Sequence, residues 1–125
     1  MTKLFEAYGR KPGMSREAFL NYQATTHMEV TAQVPEFLMD CRGGSQNTLY
    51  VTEDGITLPV GSPVSLDDKD TVVELSYDNA QSAYDAFNGE RYLQIVRPDE
   101  IHFSDTEHGW SMIAKDDVMF DSGKP

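Results

Sequence analysis

Twice along this chain a short strand-forming run is followed, within a few residues, by a helix with its own start signal. In the first unit, Leu4, Phe5, Glu6, Ala7 and Tyr8 set Glu6 and Tyr8 on one face and Phe5 and Ala7 on the other. Gly9-Arg10-Lys11-Pro12-Gly13 then supplies turn chemistry. Ser15 is positioned to cap a helix, and Glu17 suits the positive end of its dipole. Ala18, Phe19, Tyr22, Thr26 and Val30 recur at spacings of three and four, and His27 borders that stripe. The helix is expected to end near Val34, because Pro35 disfavours helical geometry in the residue before it.

The second unit begins with Thr71-Val72-Val73-Glu74-Leu75-Ser76-Tyr77, β-branched and aromatic almost throughout. Asn79 can cap a helix over residues 80–88 with the stripe Ala80, Ala83, Tyr84 and Phe87, and Gly89 stops it. Tyr84 and Phe87 are expected in the core. A helical turn over 91–96 is expected to end before Pro98. Between the units, residues 37–42 and 47–52 are strand candidates, forming either a hairpin or one strand interrupted by Gly43-Gly44-Ser45. Residues from about 53 to 70 hold Pro59, Gly61 and Pro63 and read as a long inserted loop, a type often used as a lid or binding segment. A last strand is expected within 109–114, with a polar C-terminal tail after Phe120.

The resulting order is strand, helix, strand, strand, helix, strand. This is the ferredoxin-like split β-α-β pattern of the α+β class, with both helices on one face of an antiparallel sheet. The other face is left bare, yet large residues occupy both parities of the strands. That favours burial against a second copy, so a homodimer is expected.

At 125 residues the chain suits one domain spanning 1–125, with little surplus for a deep internal cavity. Its 21 acidic and 10 basic side chains give a formal charge of -11, concentrated in 67–70, 99–107 and 116–121. Such a surface repels phosphate backbones and anionic lipid, so neither nucleic acid nor membrane is an expected partner. No apolar run reaches the roughly 18 residues of a membrane span. The first residues read as a strand rather than a signal sequence, so the cytoplasm is the expected location. Cys41 is the one cysteine, which excludes an intrachain disulfide and a cysteine-based zinc site, and a lone cysteine ordinarily serves as a small hydrophobe.

The stretch Arg10-Lys11-Pro12-Gly13-Met14-Ser15-Arg16-Glu17-Ala18-Phe19-Leu20-Asn21-Tyr22, followed by His27, resembles the opening of EthD-domain proteins: a basic pair, Pro-Gly, a capped helix with Phe and Tyr, then a His. Arg97-Pro98-Asp99-Glu100-Ile101-His102-Phe103-Ser104-Asp105 is similar to that family's segment before its final strand. The resemblance implies a dimeric α+β barrel, in which two ferredoxin-like protomers pack sheet against sheet. Related barrels include cofactor-free polyketide cyclases, decarboxylases and monooxygenases. The chain departs from the usual pattern at Met28-Glu29-Val30 and in the length of its loop at 53–70.

For chemistry, His27 is the first candidate, as an imidazole exchanges protons near neutrality, and the resemblance strengthens this reading. Tyr8 and Tyr22 can donate to a carbonyl or phenolate oxygen, although tyrosines at such positions ordinarily pack with a satisfied hydroxyl. Phe103 and Trp110 are candidate aromatic walls for a flat ligand, and His102 and His108 can reach the end of the last strand. Asp99 and Asp105 are read as structural, Asp99 capping a turn after Pro98. No metal site is read from the three histidines, whose spacing matches no zinc pattern. No phosphate cradle or dinucleotide fingerprint is present, so no cofactor is expected. The reading is a cofactor-free lyase or cyclase, decarboxylating or closing a small ring-bearing or polyketide-like substrate. Its alternatives are a non-catalytic ligand-binding or accessory protein and a cofactor-free monooxygenase of electron-rich aromatics.

Overall fold

The computed structural model describes residues 1–49 and 69–124; the loop read at 53–70 lies almost wholly outside the described residues. Among the described residues four strands form one antiparallel sheet in the order β2-β3-β1-β4. Strand β1 is Thr2–Arg10, β2 is Cys41–Thr48, β3 is Thr71–Tyr77 and β4 is Ser104–Lys115. The order and pairing are those of the ferredoxin-like α+β fold. Among the described residues no helix is long and apolar enough to cross a membrane.

Register decides which side chains meet. Glu6 lies opposite Val73 and Ser111, and Tyr8 opposite Thr71. Tyr8 packs edge-on against Phe19 at 5.9 Å between centroids, so this parity faces the helices. The other parity carries Phe5, Ala7, Val72, Trp110 and Met112 on the face away from them. There Trp110 remains 42% exposed and Met112 53% exposed, an uncovered apolar surface of the kind the sequence anticipates.

The first helical region is not continuous. Helix α1 (Arg16–Ala24) gives way at Thr25 to α2 (Thr26–Ala32), and Pro35 opens a short α3 (Pro35–Leu38) instead of merely following a helix. At the break Thr25 leaves helical geometry, with φ -119° and ψ -80°, and its Oγ1 donates to the Asn21 carbonyl at 2.6 Å. Such back-bonding competes with the helical ladder, and two consecutive β-branched threonines add crowding. Angular counting from Phe19 therefore does not carry across to His27, which is buried instead of bordering the stripe. Ser15 caps α1 as expected, its Oγ accepting from the Ala18 amide at 3.1 Å.

Phe37, expected in a strand, belongs to α3 and packs in a core with Val34, Tyr92 and Val96. The two glycines that read as an interruption lie inside a single β2, with a register shift beside Arg42. A Cβ on Gly44 would come within 2.7 Å of Leu75 Cδ2, so glycine here permits close approach of a side chain rather than a turn. Helix α4 (Ala80–Phe87) is capped by Asn79, accepting from the Ser82 amide at 2.9 Å. Tyr84, expected in the core, is half-exposed, while Ala83 and Phe87 turn inward.

Pro98 does not end a helix. Residues Tyr92–Val96 form one wide π-type turn, in which the Arg97 amide donates to the Tyr92 carbonyl, and α5 (Arg97–Phe103) follows directly. Pro98 thus falls in the first turn of α5, where a missing N–H is tolerated. Strand β4 is longer than the expected 109–114, because its polar start also pairs with β1, Ser104 opposite Arg10 and Asp105 opposite Gly9. A bulge opposite Ala7 to Gly9 absorbs the residues between Asp105 and Trp110.

Candidate active site

Two proton-handling groups are assembled on the helix-facing side, and α5 contributes adjacent residues to both. The first gathers around Asp99. His27 Nδ1 lies 2.7 Å from one carboxylate oxygen, and the Tyr22 hydroxyl donates to the other at 2.6 Å. With Nδ1–H donating to the carboxylate, the acceptor lone pair is left on Nε2. The hydrogen bond to Asp99, with burial and the charge of Asp99 adding to it, pushes the Tyr22 phenol up to about 12. The break at Thr25 and the first turn of α5 bring these residues together. Phe103 is fully buried between them, its ring 5.0 Å from His27 and 4.6 Å from Tyr22.

The second lies over β1 and the inner rim of β4. A cavity of about 160 Å³ is lined by residues including Glu6, Tyr8, Arg97, Glu100, Trp110 and Ser111. Burial, followed by the negative charge of Glu100, raises Glu6 to about 7, partly opposed by Arg97. The carboxyl therefore changes protonation near neutral pH. Glu100 is engaged elsewhere, accepting from the Tyr92 hydroxyl at 2.8 Å and from Arg97 Nη1 at 3.1 Å. Its helix is tied to β4 by the Ser104 hydroxyl, which donates to the Glu100 carbonyl.

Tyr8 completes the cavity. Gln23 Nε2 donates to its hydroxyl oxygen at 2.6 Å, so the phenolic hydrogen remains available to another acceptor. Burial above all, then the charges of Glu6 and Glu100, pushes the Tyr8 phenol well above the usual range and keeps it a neutral donor. The end of β1 is fixed by Asp70, which accepts from the Arg10 amide at 2.9 Å and from Arg10 Nη1 at 2.5 Å.

The residues singled out in the sequence thus divide into groups. His27, Tyr22 and Phe103 come together around Asp99, with the ring of His102 6.0 Å from that of Tyr22 and His102 itself exposed. Tyr8 lines the Glu6 cavity, whose lining does not include His27; Trp110 borders it from a strand position, opposite Ala7, whose parity belongs to the other face of the sheet. His108 sits on the β4 bulge, exposed, with Nδ1 2.7 Å from Asp105 Oδ2. Asp99, expected to cap a turn, joins His27 to Tyr22 instead, because Pro98 begins a helix and turns Asp99 toward α1 and α2. Glu6 and Gln23 were readable from parity alone: Glu6 shares a strand face with Tyr8, and Gln23 lies one turn beyond Phe19. Among the described residues no group of three or more His, Cys, Asp or Glu side chains is placed to hold a metal ion.

The sequence signature of the EthD domain matches residues 11–107. An EthD family protein from Bacillus halodurans has a similar fold, with 22% identity, a TM-score of 0.60, and 93% of this chain and 98% of that one covered. A protein from Arabidopsis thaliana aligns with a TM-score of 0.65 at 8% identity, over 96% of this chain and 99% of its own. A dimeric protein of ferredoxin-like fold from Bacteroides fragilis aligns at 0.57 and 8% identity, over 91% and 94% of the two chains. No curated protein matches the sequence.

Proposed function

This chain belongs to the EthD family, and from that premise we propose that it is a cofactor-independent acid–base enzyme, a lyase or cyclase acting on a small, oxygenated, ring-bearing molecule. The observation that carries the reading is Glu6, a carboxyl raised to about 7 at a cavity it shares with a neutral phenol donor. A group half-protonated at working pH can take a proton and return it, and this is commonly worth about 10²–10⁴-fold in rate. Tyr8 donates to the oxygen on which charge develops as an enolate or phenolate forms. Decarboxylation and aldol-type closure both pass through such a species. An engineered apolar cavity of about 150 Å³ elsewhere holds benzene, so the space here suits one ring or its equivalent at the reacting end.

His27 is the second proton-handling group in this reading. A carboxylate on Nδ1 fixes its tautomer and orients the ring, which leaves the other nitrogen to accept a proton. The chain works as a homodimer through the face bearing Phe5, Trp110 and Met112, a reading supported by the exposure of that face and by the dimeric relative from Bacteroides fragilis.

The test uses a panel of β-keto acids and hydroxylated aromatic acids, with carbon dioxide release and ring closure followed separately. The native chain is expected to turn over at least one member, with a pH limb near 7 that Glu6→Gln removes while binding persists. His27→Ala identifies which proton step depends on the imidazole. A native chain that binds panel members without converting any would make it a ligand-binding protein and end the enzymatic reading; oxygen uptake during turnover would replace it with oxygenation.

A further inference from the structure

Glu100 lines the cavity it shares with Glu6 and Tyr8, and its two carboxylate oxygens are used unequally. Oε2 accepts from both the Tyr92 hydroxyl, at 2.8 Å, and Arg97 Nη1, at 3.1 Å. Oε1 has no hydrogen-bond partner among the described residues. It is also open: the partnerless side-chain atoms sealed from solvent are Arg16 Nε, Gln23 Oε1 and the Tyr77 hydroxyl, and Glu100 Oε1 is not one of them. The residue is held firmly around this free atom. Tyr92 is only 4% exposed, and the Ser104 hydroxyl donates to the Glu100 backbone carbonyl. A carboxylate fixed on one oxygen presents the other in a set direction, the condition for a selective contact.

We infer that Glu100 is the specificity-determining residue of this cavity, its Oε1 accepting a neutral hydroxyl of a ring-bearing hydroxy-carbonyl compound whose carbonyl oxygen meets Tyr8. Arg97 already gives Glu100 its counter-charge, so a hydroxyl suits the open oxygen better than an ammonium group does. Across the same cavity the phenolic hydrogen of Tyr8 is free for an acceptor, which fixes the other end of the ligand. Glu6 is the weaker acceptor of the two carboxyls, being half-protonated near pH 7. A site built to pair with a hydroxyl rejects the analogue lacking it, because its own acceptor then loses water without gaining a partner. The inference rests on the acid–base reading for the carbonyl end of the ligand, but its test reads binding and not turnover.

The probes are 3-hydroxyacetophenone and acetophenone, one ring each, differing in the hydroxyl alone. Titrated against the full chain, the native protein is expected to bind the hydroxylated probe about tenfold more tightly, the effect of one hydrogen bond to a charged acceptor. In Glu100→Gln the amide oxygen stays on Arg97, which can only donate, and the NH₂ group turns to the cavity. That variant is expected to lose the preference while still binding acetophenone. Glu100→Asp, which withdraws the carboxylate from the cavity, takes its place if it does not fold. Glu6→Gln is expected to keep the preference. Ser111→Phe, at an exposed lining position, is expected to weaken both probes at least about tenfold, which locates them in this cavity. Absence of binding to the native chain, equal affinities for the two probes, a preference that survives in a folded Glu100 variant, its loss in Glu6→Gln, or full binding by Ser111→Phe would each overturn the inference. Failure here leaves the acid–base reading to its own kinetic test, and a chain that converts no panel member can still show the preference.

Discussion

The Asp99 cluster and the Glu6 cavity hold similar chemical groups in opposite states of satisfaction. Asp99 accepts from both His27 and Tyr22, so each member has a partner within the chain. Glu6 is raised to about 7 chiefly by loss of solvent, and it faces an open space. A carboxylate with two donors stabilises the fold that holds it. A carboxyl without such compensation weakens the fold whenever it ionises, and that weakness is available for chemistry. The difference teaches where to look for reactivity: at the carboxyl that is buried beside a cavity and not between two donors.

The comparison breaks most readily on Glu6→Gln. Turnover on any converted panel member is expected to fall about 10²–10⁴-fold, measured as kcat at pH 7; a variant as active as the native chain would move the chemistry to the Asp99 cluster. Next, Tyr8→Phe removes the donor but keeps the ring, and kcat is expected to fall about 10²–10³-fold with KM little changed. A change confined to KM would make Tyr8 a binding contact.

The third expectation concerns stability. The native carboxyl of Glu6 holds its proton up to about 7, against an ordinary value of 4.5, so the folded state binds more protons than the unfolded chain between those values. Stability is therefore expected to fall as pH rises from 4.5 through 7, by about 3 kcal/mol at most. Glu6→Gln is expected to lack this decline and so to exceed the native chain above pH 7, a difference that denaturant melts at pH 4 and pH 8 read directly. Equal pH slopes would show that Glu6 is solvated. The smallest effect belongs to Asp99→Ala, which strands two donors and is expected to cost about 1–3 kcal/mol. Tyr22, pushed up to about 12 by its bond to Asp99, is expected to return toward 10 in an ultraviolet titration of the variant. An unmoved Tyr22 would dissolve the cluster.

Much of this is legible in the amino-acid sequence. Both strand-then-helix units, the caps at Ser15 and Asn79, and the antiparallel order followed from local chemistry and from the period of apolar residues. The failures came where a local rule met a tertiary demand. Gly43 and Gly44 read as a break because glycine usually is one, whereas Gly44 sits in a strand to make room for Leu75. Pro98 read as a stop because the π-type turn before it, which shifts the hydrogen-bond pattern by one residue, has no sequence signature of its own. The same shift aims Asp99 at His27, so the error in secondary structure and the error over Asp99 share one cause. Alternation along the first strand sets Glu6 on the same face as Tyr8, but its proximity to Glu100 depends on residues nearly a hundred positions apart.

The borders of the sheet carry a final consequence. Strand β2, at one border, presents Arg42, Ser45, Gln46 and Asn47 to solvent and is irregular beside Arg42; β4, at the other, is distorted where Glu107 and His108 protrude. Polar, kinked margins of this kind are poor templates for the backbone of another molecule. Lateral growth of the sheet into a ribbon or filament is thereby discouraged at both sides, which leaves the face bearing Phe5, Trp110 and Met112 as the sheet's uncovered apolar surface among the described residues.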